Sequence, residues 1–152
     1  MVHVLNTPTR LINWEEFHRD AKNLAQRLLA LGPWTGVVAL TRGGLVPTAI
    51  IARELDIRAV DTLCISSYAG QVQKDIEIIK KPVSIGASGG QGWLIIDDLV
   101  DTGITAQAAR AILPHAHFAA VYAKPNGLDY VDVYANDIEQ HVWIFFPWDI
   151  EP

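Results

Sequence analysis

The chain has 152 residues, of which 50% are hydrophobic and 19% charged, so it is expected to form about one globular domain. Its net charge of −5 argues against broad, sequence-independent binding to nucleic acid, although a metal cation can still bridge acidic residues to an anionic substrate. The one cysteine, Cys64, excludes a disulfide within the chain and a multi-cysteine metal site. The N-terminal residues do not resemble a signal peptide, so we expect a cytoplasmic protein.

The first half of the chain is predicted to alternate helices and strands. Asn13 is typical of a helix N-cap, and apolar residues then recur every three or four positions up to Leu31. Gly32 and Pro33 end this helical pattern. The next predicted elements are a strand, a loop, a helix and a strand, at 36–40, 41–44, 45–55 and 59–66.

A long excursion at about 67–92, here called the hood, separates two predicted strands. Its glycine-rich ends favour hinges of a mobile lid, and its isoleucines are also consistent with a β-hairpin. Beyond the hood we predict a strand, a helix and a strand, at 93–96, 103–113 and 117–123. Strands that alternate with helices predict an α/β protein whose mainly parallel central sheet binds ligands at the carboxyl ends of its strands.

The segment 93–105 carries the residues that are suited to chemistry. Four apolar residues lead into Asp97 and Asp98, and Asp101 follows just before a turn that opens a helix. Adjacent carboxylates at a strand end can bind sugar hydroxyls or a hard cation, whereas the backbone N–H groups at a helix N-terminus can bind phosphate. Neutral donors must hold that phosphate, since no lysine or arginine occurs within 82–109.

Other interpretations of this segment differ in the residues that they require. A P-loop NTPase needs a Gly-Lys pair followed by serine or threonine, and neither that sequence nor a dinucleotide-binding fingerprint is found here. A phosphoaspartate receiver domain also places acids at strand ends, so it stays an alternative interpretation of this segment. An acidic turn that merely caps a helix is disfavoured, because three carboxylates within five positions repel one another without a cation or donors.

The segment 93–105 resembles the sequence with which type I phosphoribosyltransferases bind 5-phosphoribosyl 1-pyrophosphate (PRPP): an apolar strand, Asp-Asp, then Asp-Thr-Gly-x-Thr. Other segments resemble, in order, parts of the bacterial xanthine-guanine phosphoribosyltransferases. These parts are the pyrophosphate loop, the entry to the hood and the purine site, at 41–47, at 64–68, and at 123–125 with 143–149. The resemblance implies the type I phosphoribosyltransferase fold with a flexible hood, in a single domain spanning 1–152 with a purine-site part at about 124–152.

The activity implied by the resemblance moves a 5-phosphoribosyl group from PRPP to N9 of guanine, xanthine or hypoxanthine, with Mg²⁺ as cofactor. Asp98 would be the metal ligand, Asp97 would lie near the ribose, and Asp101 would face purine N7, so these three acids form the implied catalytic set. The residues implied to bind PRPP are Arg42, Gly43, Lys74, Asp97, Asp98, Leu99, Val100, Asp101, Thr102, Gly103, Ile104 and Thr105. The residues implied to bind the purine are Asp101, Lys124, Trp143, Ile144 and Asp149.

The resemblance has further implications and two departures. It implies a cis peptide bond between Thr41 and Arg42, and a homo-oligomer, a tetramer or dimer, with at most peripheral attachment to the inner membrane. Relatives commonly have serine at position 41 and glycine at position 104, where this chain has threonine and isoleucine. Two other functions stay open. One is an RNA-binding regulator that senses PRPP or nucleotides, which should show a basic face; the other is a phosphoribosyltransferase for another base, which Lys124 and Trp143 disfavour.

Overall fold

The computed structural model describes residues 7–69 and 74–150, with the backbone alone at 68, 69, 74 and 75. The strands are β1 (Thr9–Leu11), β2 (Gly36–Thr41), β3 (Val60–Ala69), β4 (Lys74–Lys80), β5 (Trp93–Val100), β6 (His117–Ala123), β7 (Val133–Asp137) and β8 (Trp143–Phe145). The α-helices are α1 (Trp14–Leu31), α2 (Leu45–Glu54) and α3 (Ile104–Ile112), and 3₁₀ turns occur at Gly86–Ser88 and Pro125–Tyr130.

The central sheet has six strands in the order β4-β3-β2-β5-β6-β7, and every neighbouring pair except β3 and β4 is parallel. The inner strands β2 and β6, and β5 as far as Ile96, are almost continuous runs of buried apolar residues, as expected for parallel strands that helices cover on both faces. A separate two-stranded parallel sheet joins β1 to β8. The central sheet confirms the mainly parallel α/β architecture.

Helices cover the two faces of the sheet in a way that opens a crevice between β2 and β5. Val37 and Ile96 belong to the apolar cluster that includes residues of α1 and α2, whereas Val38 and Ile95 belong to the cluster that includes residues of α3. Successive strand residues point to opposite faces, so these two clusters lie on opposite faces of the sheet. Because α2 follows β2 and α3 follows β5, the chain leaves the two strands toward opposite sides. Such a point of divergence is where α/β proteins bind ligands.

Strand β5 is longer than the sequence predicts. We expected it to end at Ile96, but it continues to Val100. Up to Ile96 it pairs with both β2 and β6, and beyond that residue it pairs with β6 alone. This pairing with a neighbouring strand, which local sequence does not reveal, carries the strand through polar residues. Asp97 and Asp98 therefore lie in the strand beside the gap that β2 leaves.

The predicted hairpin is confirmed, since β3 and β4 are antiparallel neighbours. Its tip, with the hinge that we expected there, falls within 70–73 and so outside the described residues. At the other end of the hood the backbone N–H of His115 donates to the Gly89 carbonyl, and that of Thr35 donates to the Gly92 carbonyl, both at 2.8 Å. These two bonds tie the second glycine-rich end to neighbouring loops, and the hinge expected there stays a prediction.

The first helix follows its sequence signals closely. Helix α1 ends at Leu31 as predicted, and the side chain of Asn13 caps it by accepting a hydrogen bond from the backbone N–H of Glu16 at 2.8 Å. Within 7–69 and 74–150, none of the helices combines the length and the apolar character that crossing a membrane requires.

Candidate active site

Asp97 and Asp98 lie side by side where β5 has lost β2 as a neighbour. Oδ1 of Asp97 accepts the backbone N–H of Asp98 at 2.8 Å, and Oδ1 of Asp98 accepts that of Leu99 at 2.7 Å. Burial and then the neighbouring Asp98 carboxylate raise the pKa of Asp97 well above its usual value, and burial also raises the pKa of Asp98. In the described part of the chain, no lysine or arginine forms an ion pair with either acid. The negative charge of the pair is therefore poorly compensated by the protein.

The loop after β2 packs directly on these two acids. A Cβ atom at Gly43 would lie 2.6 Å from Oδ1 of Asp98 and 2.8 Å from Oδ1 of Asp97, so this close approach requires glycine. The peptide bond between Thr41 and Arg42 is cis, as the resemblance implied. The Arg42 side chain is exposed, and it forms no ion pair with the described residues. The loop that packs on the carboxylate pair therefore also carries a guanidinium without an ion-pair partner among the described residues.

The turn between β5 and α3 forms a pocket of about 190 Å³. Gly103 precedes the first residue of α3 with φ of 86°, and a side chain there would also collide with the ring of Tyr130. The lining residues are Ser67, Asp97, Leu99, Val100, Asp101, Thr102, Gly103, Ile104, Thr105 and Ala106. The structure therefore brings the whole predicted run 99–105 around one pocket, at a helix N-terminus that is suited to an anion.

Lys124 is buried at the end of β6 and forms an ion pair with Asp101. Only 5% of the Lys124 side chain is exposed, and its Nζ lies 3.2 Å from Oδ2 of Asp101. The backbone N–H of Lys124 donates to the Val100 carbonyl at 2.9 Å, which holds the end of β6 against β5. This burial excludes the plain alternative for Lys124, a solvated lysine at a strand end. The Asp101 side chain is half-exposed, so it can still contact a ligand.

A residue that the sequence did not reveal holds the other oxygen of Asp101. Nε2 of Gln140 donates to Oδ1 of Asp101 at 2.7 Å, and Oε1 of Gln140 accepts the backbone N–H of Asn126 at 2.8 Å. Gln140 lies 39 positions from Asp101, in the polar turn before β8. Local sequence gives no sign of this contact, because any polar residue of a turn would have produced the same pattern.

Trp143 and Asp149 lie in the C-terminal part of the site. The Trp143 side chain is 60% exposed, which excludes a role in the core, and its backbone N–H donates to the Pro8 carbonyl at 2.8 Å. Ile144, the next residue, is buried in the core and pairs with β1. Burial is the largest cause of the raised pKa of Asp98, and the charge of Asp149 adds to it, so Asp149 lies within electrostatic reach of the carboxylate pair.

Not every predicted residue is joined to the others. Lys74 begins β4, but its side chain lies outside the described residues. Arg42 and Trp143 are exposed, and within 7–69 and 74–150 neither side chain forms a hydrogen bond with another site residue. Contacts in the structure connect the carboxylate pair, the turn 99–105 and the pair formed by Asp101 and Lys124.

The carboxylate pair has the chemistry of a magnesium site that is completed by substrate. Mg²⁺ prefers oxygen ligands and is usually held by one or two carboxylates together with phosphate oxygens and water. Within the described ranges, no three side chains of the metal-ligating kinds are grouped to hold a metal ion. The donors present, Asp97 and Asp98, therefore fit a cation shared with a phosphorylated ligand better than one enclosed by protein.

A second and larger cavity, of about 660 Å³, lies between α2 and β3. Its floor contains the small residues Ala39 and Ala52, and its lining includes Arg53 and Arg58. It shares no lining residue with the pocket at the N-terminus of α3, and none of the predicted site residues lines it. The predicted chemistry therefore belongs to the smaller pocket.

Comparisons with known proteins show the family to which the chain belongs. The family model described as the phosphoribosyl transferase domain matches residues 9–152. A relative from Nitratidesulfovibrio vulgaris strain DP4, named xanthine-guanine phosphoribosyltransferase, is 56% identical over 140 residues, which cover 92% of this chain and 84% of the relative. A relative of the same name from Desulfotalea psychrophila is 53% identical over 142 residues, which cover 92% of this chain and 86% of the relative.

Solved structures share the fold at lower sequence identity. The purine phosphoribosyltransferase from Pyrococcus horikoshii has a TM-score of 0.79 at 24% identity and covers 95% of both chains. The xanthine-guanine-hypoxanthine phosphoribosyltransferase from Helicobacter pylori has a TM-score of 0.74 at 23% identity and covers 93% of this chain and 94% of its own. These likenesses confirm the predicted type I phosphoribosyltransferase fold. The chain therefore belongs to the phosphoribosyltransferase family.

Proposed function

We propose that the protein transfers the 5-phosphoribosyl group of PRPP to N9 of guanine, xanthine or hypoxanthine and releases pyrophosphate. The observation that carries this proposal is the joining of three features at the ends of β5 and β6. These features are the poorly compensated acids Asp97 and Asp98, a pocket at the N-terminus of α3 that no lysine or arginine of the described residues lines, and the ion pair between the buried Lys124 and the half-exposed Asp101. The names of the relatives at 53–56% identity support the same activity.

In this proposal the PRPP half of the site has two anion-binding parts. The turn 99–105 holds the 5′-phosphate with backbone N–H groups at the N-terminus of α3, where the helix dipole favours an anion. Arg42 and Gly43 hold the pyrophosphate, because a guanidinium presents several donors and glycine allows the backbone to approach. Lys74, at the start of β4, is assigned to the same leaving group.

The carboxylates complete the PRPP half. Asp98 would hold Mg²⁺, and Asp97 would contact the ribose hydroxyls. When bound there, the cation neutralises part of the charge that develops on the leaving pyrophosphate. Gly43 lets the pyrophosphate loop lie against both acids, so a bound diphosphate and the carboxylates would share one cation site.

The base half of the site selects a 6-oxopurine. The Lys124 ammonium is a donor and suits O6, whereas adenine presents an amino group, itself a donor, at that position. Trp143 stacks on the ring, the Ile144 backbone contacts the ring edge, and Asp149 reads the 2-substituent. As the bond between C1′ and pyrophosphate oxygen breaks and the bond to N9 forms, Asp101 accepts the proton of the base at N7.

The organisation of the protein is part of the proposal. The family match over residues 9–152 supports one domain, with the hood at about 67–92 and a purine-site part at about 124–152. We further propose a cytoplasmic homo-oligomer, a dimer or tetramer, with at most peripheral attachment to a membrane. Light scattering of the purified protein and fractionation of cells test these two statements.

Initial-rate assays test the function. The protein is incubated with PRPP, Mg²⁺ and guanine, xanthine, hypoxanthine or adenine, and nucleotide and pyrophosphate are measured. We expect each of the three 6-oxopurines to give one pyrophosphate for each nucleotide formed, and adenine to give little of either product. Excess chelator should stop turnover until Mg²⁺ is restored. Turnover of adenine alone, or full turnover in chelator, would contradict the proposal.

A further inference from the structure

Asp101 is held from two sides, and the sequence predicted neither contact. Its Oδ2 faces the buried Lys124 ammonium, and its Oδ1 accepts from the Gln140 amide at 2.7 Å. The Asp101 side chain projects from a turn and is 49% exposed, so its rotation is not fixed by packing alone. Loss of the Gln140 contact would leave the carboxylate anchored through one oxygen.

The position of Gln140 demands an amide. One end must donate to the Asp101 carboxylate, and the other must accept the backbone N–H of Asn126 at 2.8 Å. A flipped amide would set oxygen against oxygen and N–H against N–H. Glutamate lacks the donor, and lysine or arginine lacks the acceptor. Of the side chains of this length, glutamine alone satisfies both partners.

The contacts of Gln140 join three loops that come from distant parts of the chain. These loops are the turn after β5 that carries Asp101, the turn Pro125–Tyr130 after Lys124, and the turn before β8 that leads into Trp143. Each loop carries or directly adjoins a residue that the proposed function assigns to the base: Asp101, Lys124 or Trp143. We propose that Gln140 is a positioning residue, which fixes the Asp101 carboxylate for proton acceptance without touching the substrate itself. This inference rests on the proposed function.

Steady-state kinetics on matched variants tests the role of Gln140. Gln140→Ala removes the amide, and Gln140→Glu keeps its size but sets a carboxylate against Asp101. Each should lower kcat about 10- to 100-fold, the effect of losing a hydrogen bond to a charged group, with little change in the KM of PRPP or of the base. The control Glu139→Gln changes a neighbouring side chain that is 75% exposed and should leave kcat unchanged.

A double-mutant cycle shows whether Gln140 acts through Asp101. Asp101→Asn alone should lower kcat roughly 10²- to 10⁴-fold. In that background Gln140→Ala should add less than about a twofold change, because the partner that it positions is already disabled. The assignment would be overturned if Gln140→Ala caused equal losses of kcat in both backgrounds, or if it left kcat unchanged. It would also be overturned if Gln140→Ala raised the KM of PRPP and lowered the melting temperature together.

The wild-type enzyme separates the two proposals. If it forms no nucleotide from PRPP with any 6-oxopurine, the proposed function fails and the role of Gln140 fails with it. If the wild type is active and both Gln140 variants match it, the role of Gln140 fails alone.

Discussion

Asp61 and Asp97 are acids on strands of the same sheet, but their surroundings have opposite effects on their charge. Asp61 is 8% exposed, and its carboxylate accepts the backbone N–H groups of Val83 and Ser84, each at 2.8 Å, and the Lys80 ammonium at 3.0 Å. Burial by itself raises the pKa of Asp61, but these donors outweigh it and hold the pKa far below its usual range.

Asp97 lacks such compensation. Burial and the carboxylate of Asp98 raise its pKa, and the one hydrogen bond that lowers it comes from a backbone N–H. An acid that the protein neutralises with its own donors serves the fold, whereas an acid left without a cationic partner in a crevice is suited to bind a ligand. The comparison therefore separates Asp61, a structural carboxylate, from Asp97, which forms the proposed functional pair with Asp98.

The largest expected effect comes from the functional pair. Asp98→Asn should lower turnover by about 10³-fold, since the stabilisation of leaving-group charge that it supports is worth several kcal/mol. It should leave the free energy of unfolding unchanged or raised, because it removes repulsion between two carboxylates. Activity assays and urea denaturation measure both quantities. A fully active Asp98→Asn enzyme would break the comparison.

The structural acid should behave in the opposite way. Asp61→Asn should lower the free energy of unfolding by about 1.5–3 kcal/mol at pH 7, the typical value of hydrogen bonds to a charged group, and should leave kcat unchanged. Because folding lowers the pKa of Asp61, its contribution is complete above the unfolded value of about 3.9 and is lost as the pH falls below it. The difference from wild type in urea denaturation should therefore shrink at low pH.

An exposed aspartate provides the control for Asp61. Asp129→Asn should leave the urea midpoint unchanged across the same pH range, since Asp129 is exposed and forms no ion pair within the described part of the chain. If both variants lose stability equally, the donors around Asp61 do not explain its effect.

The smallest effect extends the comparison to aromatic side chains. Trp143 is 60% exposed, whereas Trp93 is 6% exposed within the core. Trp143→Ala should raise the KM of the base about 5- to 150-fold, corresponding to roughly 1–3 kcal/mol of stacking, with little change in kcat or in melting temperature. Trp143→Phe should recover part of the loss because it keeps a stacking face. An unchanged KM would remove Trp143 from the base site.

Sequence predicted the elements that local patterns determine. The cap at Asn13, the apolar stripe of α1 and the apolar run of β5 each depend on residues that are close together in the chain. The acids after the run of β5 also lie where the pattern indicated. Sequence did not predict the pairing of β1 with β8, which fixes the Trp143 backbone, or the extension of β5 beyond Ile96. It also missed Gln140. Each of these depends on a partner that is remote in the chain.

A crystal structure with Mg²⁺, PRPP and 9-deazaguanine, whose carbon at position 9 cannot form the N-glycosidic bond, would test the central claim most directly. The account predicts the pyrophosphate beside Gly43 and the 5′-phosphate in the turn 99–105. It also predicts the base on Trp143, with O6 at Nζ of Lys124. Density for PRPP in the cavity between α2 and β3, or for the base away from Lys124, would contradict the claim that the uncompensated acids of β5 mark the catalytic crevice.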